Sequence, residues 1–236
     1  ALKTKKLAFI AKYRKPVGPK RPGRRLILDE GDSADRTAQR IRSALDGGLQ
    51  TFGTYCLGGV VMNGVEQSRA VGGPDGRVQY IPTQKLLGNE RLMGLRQALG
   101  LEFGTTYDTD AKVAALPYGG GVTFFVDEDV DGKGKIFPLA MAFIAWFWPE
   151  LALRPGWITR LQTPVVRVYL PGKMRTLESS RKALVFYYEQ DFDGWCAANP
   201  AETERARKEG RIKYFNGLAG HDSETEVPVI AETYGS

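Results

Sequence analysis

Apolar positions along the chain fall into short runs divided by polar and glycine-rich stretches. Leu26-Ile27-Leu28, after Arg24-Arg25 and before Asp29, predicts a short buried strand. It leads through Glu30-Gly31-Asp32-Ser33-Ala34 into a helical stretch over residues 35–45. There Gly31 is expected to permit a tight strand-to-helix turn, and Asp32 or Ser33 to cap the helix, Asp32 being favoured as a structural cap. Val122-Thr123-Phe124-Phe125-Val126 is β-branched and aromatic and predicts a second buried strand. Residues 136–148 are apolar nearly throughout, with Pro138 suited to a first helical turn. That run is shorter than the roughly 20 residues needed to span a bilayer, so it reads as a helix buried against the sheet. Residues 72–76 read as a turn and residues 201–210 as a solvated helix. Alternating helix and strand patterns predict an α/β fold.

The polar residues that follow the second strand carry the candidate chemistry. Asp127-Glu128-Asp129-Val130-Asp131-Gly132 alternates acids at its end. On an extended segment Asp127, Asp129 and Asp131 point to one side and Glu128 to the other. Three carboxylates that close require a cation between them or raised pKa values, and hard oxygen donors favour Mg²⁺ or Ca²⁺ over zinc. An EF-hand loop starts in the same way but needs a Glu at its twelfth position; counted from Asp127 that position is Pro138, and the preceding segment is a strand. A plain solvated acidic turn is the other reading. Glu30 changes the balance, because in a parallel sheet the carboxyl ends of strands share the ligand-binding edge.

Composition narrows the class. The chain has 236 residues, an ordinary apolar fraction and abundant glycine, which predicts a globular protein of one or two domains. Cys56 and Cys196 lack ligand spacing and are expected to be free thiols in a reducing compartment. His221 is the single histidine, which excludes histidine-rich zinc sites; it is expected in a surface loop. The four tryptophans and neighbouring aromatics are expected to be mostly core. Charge is uneven. The first 25 residues hold ten Lys or Arg and no acid, against a net charge of +6 for the whole chain. A nucleic-acid partner accounts for that excess, and Pro16, Gly18, Pro19, Pro22 and Gly23 also suit a solvated linker. Gly119-Gly120-Gly121 precedes a strand and lacks the Lys-Ser/Thr of a phosphate-binding P-loop. No secretory signal is visible, and a start at Ala1 is expected of a processed or cut chain.

Taken together, Glu30-Gly31-Asp32-Ser33-Ala34 and the distant Asp127-Glu128-Asp129-Val130-Asp131-Gly132 resemble the TOPRIM domain of type IIA DNA topoisomerases. The likeness extends over roughly residues 24–220. Asn89 to Leu101 is similar to the helix before the second motif in eukaryotic-type enzymes. Trp148-Pro149-Glu150-Leu151, residues 158–168, Phe186-Tyr187-Tyr188 with Asp191-Phe192-Asp193-Gly194-Trp195, and Ile212-Lys213-Tyr214-Phe215-Asn216-Gly217-Leu218 match further segments in order. The resemblance implies a Rossmann-like, mostly parallel sheet flanked by helices, with a C-terminal strand and helix extension. It divides the chain into a basic arm (1–23), a TOPRIM core (24–170) and an extension (171–236).

By the same resemblance Glu30, Asp127, Asp129 and Asp131 are metal ligands for one or two Mg²⁺ ions, with Glu30 also the acid/base in cleavage and religation. Two ions can clamp the attacking and leaving oxygens of a phosphodiester. Lys133, Lys135, Lys213 and Asn216 take DNA-binding positions. Three departures stand out: Cys56-Leu57-Gly58-Gly59-Val60 lacks the family's two basic residues, Asn216 replaces a lysine, and Asp131-Gly132-Lys133-Gly134-Lys135 is one residue longer than its counterpart. Such divergence suits a viral or otherwise distant member. The implied partners are double-stranded DNA and a second copy of the full-length enzyme, in the nucleus or a viral replication compartment. ATP is implied for the full-length enzyme and not for this chain. The family's nucleophilic tyrosine lies in a winged-helix region, and Tyr234 does not match its setting, so the isolated chain is expected not to relax DNA. A primase or nuclease of the same fold and a non-catalytic DNA-binding module are the alternatives.

Overall fold

The computed structural model describes residues 12–72, 78–125, 135–172, 174–217 and 220–235. Asp127, Asp129, Asp131 and Lys133 lie outside the described residues, as does most of the 72–76 turn.

The main sheet has five strands in the order β1-β3-β2-β6-β7. They are β1 (Tyr13–Arg14), β2 (Arg25–Asp29), β3 (Phe52–Cys56), β6 (Gly121–Phe125) and β7 (Ile158–Leu161). Pairing is parallel from β3 through β7, and only β1 at the edge runs antiparallel. β2 and β6 are buried along almost their whole length, as expected of central parallel strands covered on both faces. Alternation then sorts the residues. Leu26, Leu28, Val122 and Phe124 join one core, with α4 (Glu90–Leu99), α5 (Asp110–Ala115) and α6 (Phe137–Phe147). Ile27 and Phe125 join a second core on the other face, beneath α1 (Asp32–Ala44) and α11 (Val227–Gly235).

At the end of the sheet where β2 begins, Arg25 ties three strands together. Its guanidinium donates to the carbonyls of Val122 (2.9 Å) and Gly156 (3.0 Å), to Thr123 Oγ1 (3.1 Å) and to Thr159 Oγ1 (2.8 Å). This cation, one of the basic run, is thus committed to the fold.

Two smaller sheets complete the chain. β4 (Ser68–Gly72) and β5 (Val78–Pro82) form an antiparallel pair. α3 (Gln84–Leu87) follows it. β8 (Val166–Val168), β9 (Leu184–Phe186) and β10 (Ile212–Tyr214) form a three-stranded antiparallel sheet in the order β10-β8-β9. α9 (Glu189–Ala198) and α10 (Pro200–Lys208) pack on it through Phe192 and Ala206. The short helices α2 (Gly48–Thr51), α7 (Pro149–Ala152) and α8 (Leu177–Lys182) fill connections. The mixed α/β architecture with a mostly parallel sheet is as expected.

Several local expectations are corrected. The first helix starts at Asp32 rather than residue 35, and its cap is Gly31. Gly31 has φ −169°, extended backbone open to any residue, and a Cβ there meets nothing, so the turn does not require glycine. Asp32 caps nothing; it sits in the first turn as an exposed carboxylate. α6 buries Ala140, Phe143 and Ile144, but its flank, with Phe137 and Met141, lines an open apolar groove with Leu153 and Ile158. His221 is buried at 2% exposure, stacked on Phe215 at 4.2 Å, and is no surface residue. Trp148 and Trp157 are buried as expected, whereas Trp146 and Trp195 are half-buried. Cys56 is buried and Cys196 partly so; both are free thiols. Among the described residues no helix is long and apolar enough to cross a membrane.

Candidate functional site

The candidate site stands at the carboxyl edge of β2. Register pairs Asp29 with Cys56 on β3 and with Phe125 on β6. Glu30 therefore begins where β2 ends, level with the point at which the chain leaves β6. The backbone here is fixed from β3: Leu57 N donates to Asp29 O (2.8 Å) and Gly59 N to Glu30 O (2.6 Å). That return turn uses Gly58 at φ +71° and Gly59 at φ +105°, the left-handed region that favours glycine. The stretch that lacks basic residues thus has its own structural use: it holds the Glu30 backbone in place.

Glu30 is half-buried and lines a shallow cavity of about 390 Å³ with Lys12, Gly31, Asp32, Gly58, Gly59 and Ile136. Lys12 Nζ contacts Asp32 at 2.5 Å, which holds the Asp32 carboxyl below its ordinary value. One helical turn on, Arg14 makes a two-pronged pair with Asp35 (2.6 and 2.9 Å), and Gln39 links Asp35 to Thr54. The basic segment before β2 thus lays two of its cations on the acidic first turn of α1.

Sequence reading missed Asp29. It is fully buried, and neither carboxylate oxygen has a hydrogen-bond partner of ordinary geometry. Burial pushes its carboxyl up to about 7, with the neighbouring Cys56 thiol pulling the other way. The same burial, together with Asp29, pushes the Cys56 thiol up to about 12. A buried carboxyl without a partner is costly unless a cation or proton joins it. The available signal was an acid directly ending an apolar strand.

The other predicted residues separate. Lys135 is exposed just before α6. Lys213 lies on β10, in the three-stranded sheet. Its ammonium is held by both Glu226 oxygens (2.9 and 3.0 Å) and lies over the Phe215 ring (4.8 Å). Glu226 is buried and also accepts from Tyr169 Oη (2.5 Å). Asn216 is exposed two residues beyond β10. Tyr234 is half-buried on α11, its hydroxyl against Thr123 Oγ1. Among the described residues no group of three or more His, Cys, Asp or Glu is placed to hold a metal ion.

An open parallel α/β sheet with carboxylates at its carboxyl edge defines an α/β protein of the ligand-binding-edge type. Comparison with known proteins places it further. The chain is 36% identical over 203 residues to DNA topoisomerase 2 of African swine fever virus (strain Badajoz 1971 Vero-adapted), an alignment covering 84% of this chain and 16% of that protein. It is 32% identical over 197 residues to DNA topoisomerase 2 of Acanthamoeba polyphaga mimivirus, covering 84% and 13%. The fold is similar to the crystal structure of the Plasmodium falciparum topoisomerase II DNA-binding, cleavage and re-ligation domain, with a TM-score of 0.70 and 20% identity over 98% of this chain and 27% of that one. No family model matches the chain. The chain belongs to the type IIA DNA topoisomerases. It spans about one-sixth of the length of the African swine fever virus relative.

Proposed function

We propose that this chain is the TOPRIM region of a type II DNA topoisomerase and supplies the divalent-metal site for cleavage and religation of DNA. The observation that carries this reading is the register of β2 and β6. Asp29 and Phe125 are paired on adjacent parallel strands, so β2 and β6 end at the same sheet edge; Glu30 stands directly after β2, and Asp127, Asp129 and Asp131 follow β6 in the sequence. Among the described residues Glu30 and the buried carboxyl of Asp29 offer the oxygen donors that Mg²⁺ prefers, and in this reading Asp127, Asp129 and Asp131 would complete the set from the sequence after β6. When bound, Mg²⁺ supplies charge neutralisation at phosphodiester oxygens.

The chain's own residues have separable tasks. Glu30, with its backbone tied to Gly59, offers its carboxylate as a ligand and as the group that takes or returns a proton at the 3′-oxygen. Burial raises the cost of ionising Asp29, and nearby positive charge offsets that cost. The nucleophilic tyrosine, the ATPase, the second copy and the DNA-containing compartment belong to the complete enzyme in this reading, as does ATP dependence. Relatives named DNA topoisomerase 2 support it over a primase, a nuclease or a purely binding module.

The test is supercoiled plasmid cleavage by the complete enzyme carrying Glu30→Gln. That substitution keeps size and removes charge. The expected outcome is retained DNA binding with cleavage reduced at least a hundred-fold, in the range of lost acid/base catalysis (~10²–10⁴). Cleavage at the unaltered rate would exclude Glu30 from the chemistry.

A further inference from the structure

A phosphodiester that approaches the Glu30 edge meets Glu30 and Asp32, with Asp29 behind them. Carboxylates repel phosphate, so such an edge needs cations of its own to admit a polyanion. The turn beneath the cavity, Leu57-Gly58-Gly59-Val60, has none. Two cations from distant parts of the chain stand over it instead.

Lys12 comes from the strap before β1. It is a non-glycine residue at φ +67°, and its carbonyl accepts from Cys56 N (3.3 Å) beside the β1–β3 pairing. Strained backbone of this kind persists where surrounding structure over-determines it, and such positions cluster at functional sites. The strained backbone carries the ammonium to the mouth of the Glu30 cavity, on the exposed carboxylate of Asp32. Lys12 keeps 42% of its side-chain exposure there, so it remains open to solvent and to a ligand.

Arg91 comes from the first turn of α4, 79 positions further along the chain. Its carbonyl accepts from the Tyr55 hydroxyl (2.8 Å), which fixes the helix start against β3. The guanidinium donates to Val60 O (3.0 Å) and lies over the two glycines; a Cβ at Gly58 or Gly59 would come within 3.9 Å of it. Arg91 is also exposed. The guanidinium thus stands at van der Waals distance above the turn that holds Glu30.

We infer that Lys12, at the mouth of the Glu30 cavity, and Arg91, over the Gly58-Gly59 turn that lines it, form a phosphate clamp that engages the DNA backbone next to the carboxylates. This deepens the topoisomerase reading and rests on it. In the DNA-free protein the Lys12–Asp32 pair stores the ammonium at the cavity mouth. A backbone phosphate competes with Asp32 for it, while Arg91, with donors beyond the one on Val60, presents the fork geometry that suits phosphate oxygens. Both residues are positioning residues: they hold the strand and take no part in bond breaking.

The experiment measures binding of a fluorescent DNA duplex to the 236-residue chain by anisotropy between 50 and 200 mM salt, in EDTA so that no divalent cation contributes. Each phosphate contact adds about 0.9 to the slope of log affinity against log salt. Lys12→Ala and Arg91→Ala are each expected to lower the slope by about 0.9, and the double variant by about 1.8. Lys12→Arg is expected to keep the slope. Lys208→Ala, on the far-removed α10 and paired with Glu204, is expected to leave it unchanged. Asp32→Ala separates the clamp from a purely structural ion pair. It breaks the same pair, yet the clamp predicts tighter DNA binding, because a repelling charge goes and the ammonium is released.

Slopes for Lys12→Ala and Arg91→Ala equal to that of Lys208→Ala would overturn the assignment. So would weaker binding by Asp32→Ala, or no measurable binding by the unaltered chain at 50 mM salt. A Mg²⁺ titration of the same variants keeps the two readings apart: Lys12→Ala is expected to retain Mg²⁺ binding and Glu30→Gln to lose it. Unchanged slopes beside a Glu30-dependent Mg²⁺ signal would sink the clamp alone. An Mg²⁺ signal independent of Glu30 would sink the metal reading alone.

Discussion

His221 shows how one buried side chain makes stability depend on pH. It stacks on Phe215, and neither ring nitrogen has a hydrogen-bond partner. Burial pushes its pKa down from 6.5 to about 4; the charged groups facing it are Glu226, which opposes the shift, and Arg167 and Lys213, which add to it. A base with a depressed folded pKa binds its proton more readily in the unfolded chain. Its contribution is therefore complete above pH 6.5 and is lost progressively as pH falls towards 4. At pH 5 the loss amounts to about 2 kcal/mol. Glu226, whose carboxyl is held low by Tyr169, the Asp222 amide and Lys213, loses stability in the same direction as pH falls further. Urea unfolding at pH 7 and pH 5 is expected to show the unaltered chain losing about 2 kcal/mol relative to His221→Leu, a difference in which the opposing titration of Asp29 cancels. Equal losses in both would show that His221 is not the titrating group. The sequence reading assigned His221 to a surface loop because a lone histidine in a polar stretch, Gly220-His221-Asp222-Ser223, has no local sign of burial. The neighbours that bury it, Phe215 and Glu226, become adjacent only when the chain folds back on β10.

At the scale of elements, the order of strands decides where the chemistry stands, and the contact of β6 with β7 is built on a close backbone approach. Gly121 opens β6 at φ +98°, and a Cβ there would lie 1.9 Å from the Trp157 carbonyl oxygen. Gly121→Ala is expected to cost about 3 kcal/mol or more, since backbone must move to relieve the clash and the backbone angle is itself unfavourable to alanine. Thermal unfolding checks this, and a melting temperature within a degree of the unaltered chain would contradict it. The central elements were legible because their signals are local: Leu26-Ile27-Leu28 and Val122 to Phe125 are buried on both faces and read as continuous apolar runs. The peripheral ones were not. β1 is two residues inside a basic stretch and exists through its pairing with Tyr55 and Thr54. β4 and β5 expose most of their side chains and so lack the alternation that marks a half-buried strand. The helix after β2 begins earlier than its apolar pattern suggests, because its first turn is occupied by charged residues whose partners, Lys12 and Arg14, come from β1 and the residue before it.

For the whole molecule, the basic bias of the N-terminal segment divides into structural and available charge. Arg25 binds strand carbonyls, Arg14 binds Asp35, Lys20 donates to the Ala115 carbonyl (2.6 Å) and Arg24 to that of Gly18. A count of charges along the sequence cannot make this division, because the acceptors lie up to 134 positions away. The acids were the opposite case. Glu30 was placed by the apolar strand before it, and the parallel pairing of β2 with β6 ends both strands at one sheet edge; the aspartates lie outside the described residues. What sequence could not supply was the company Glu30 keeps: Asp29 beside it, Lys12 at the cavity mouth, and Arg91 over the glycine turn. These follow from strand register and from a helix start tied to Tyr55. The central claim is that this edge is a divalent-cation site. Its most direct test is calorimetric titration of Mg²⁺ into the unaltered chain, Glu30→Gln and the double variant Asp127→Ala with Asp129→Ala. A binding signal in the unaltered chain that disappears in both variants is predicted; the same signal in all three would contradict the account.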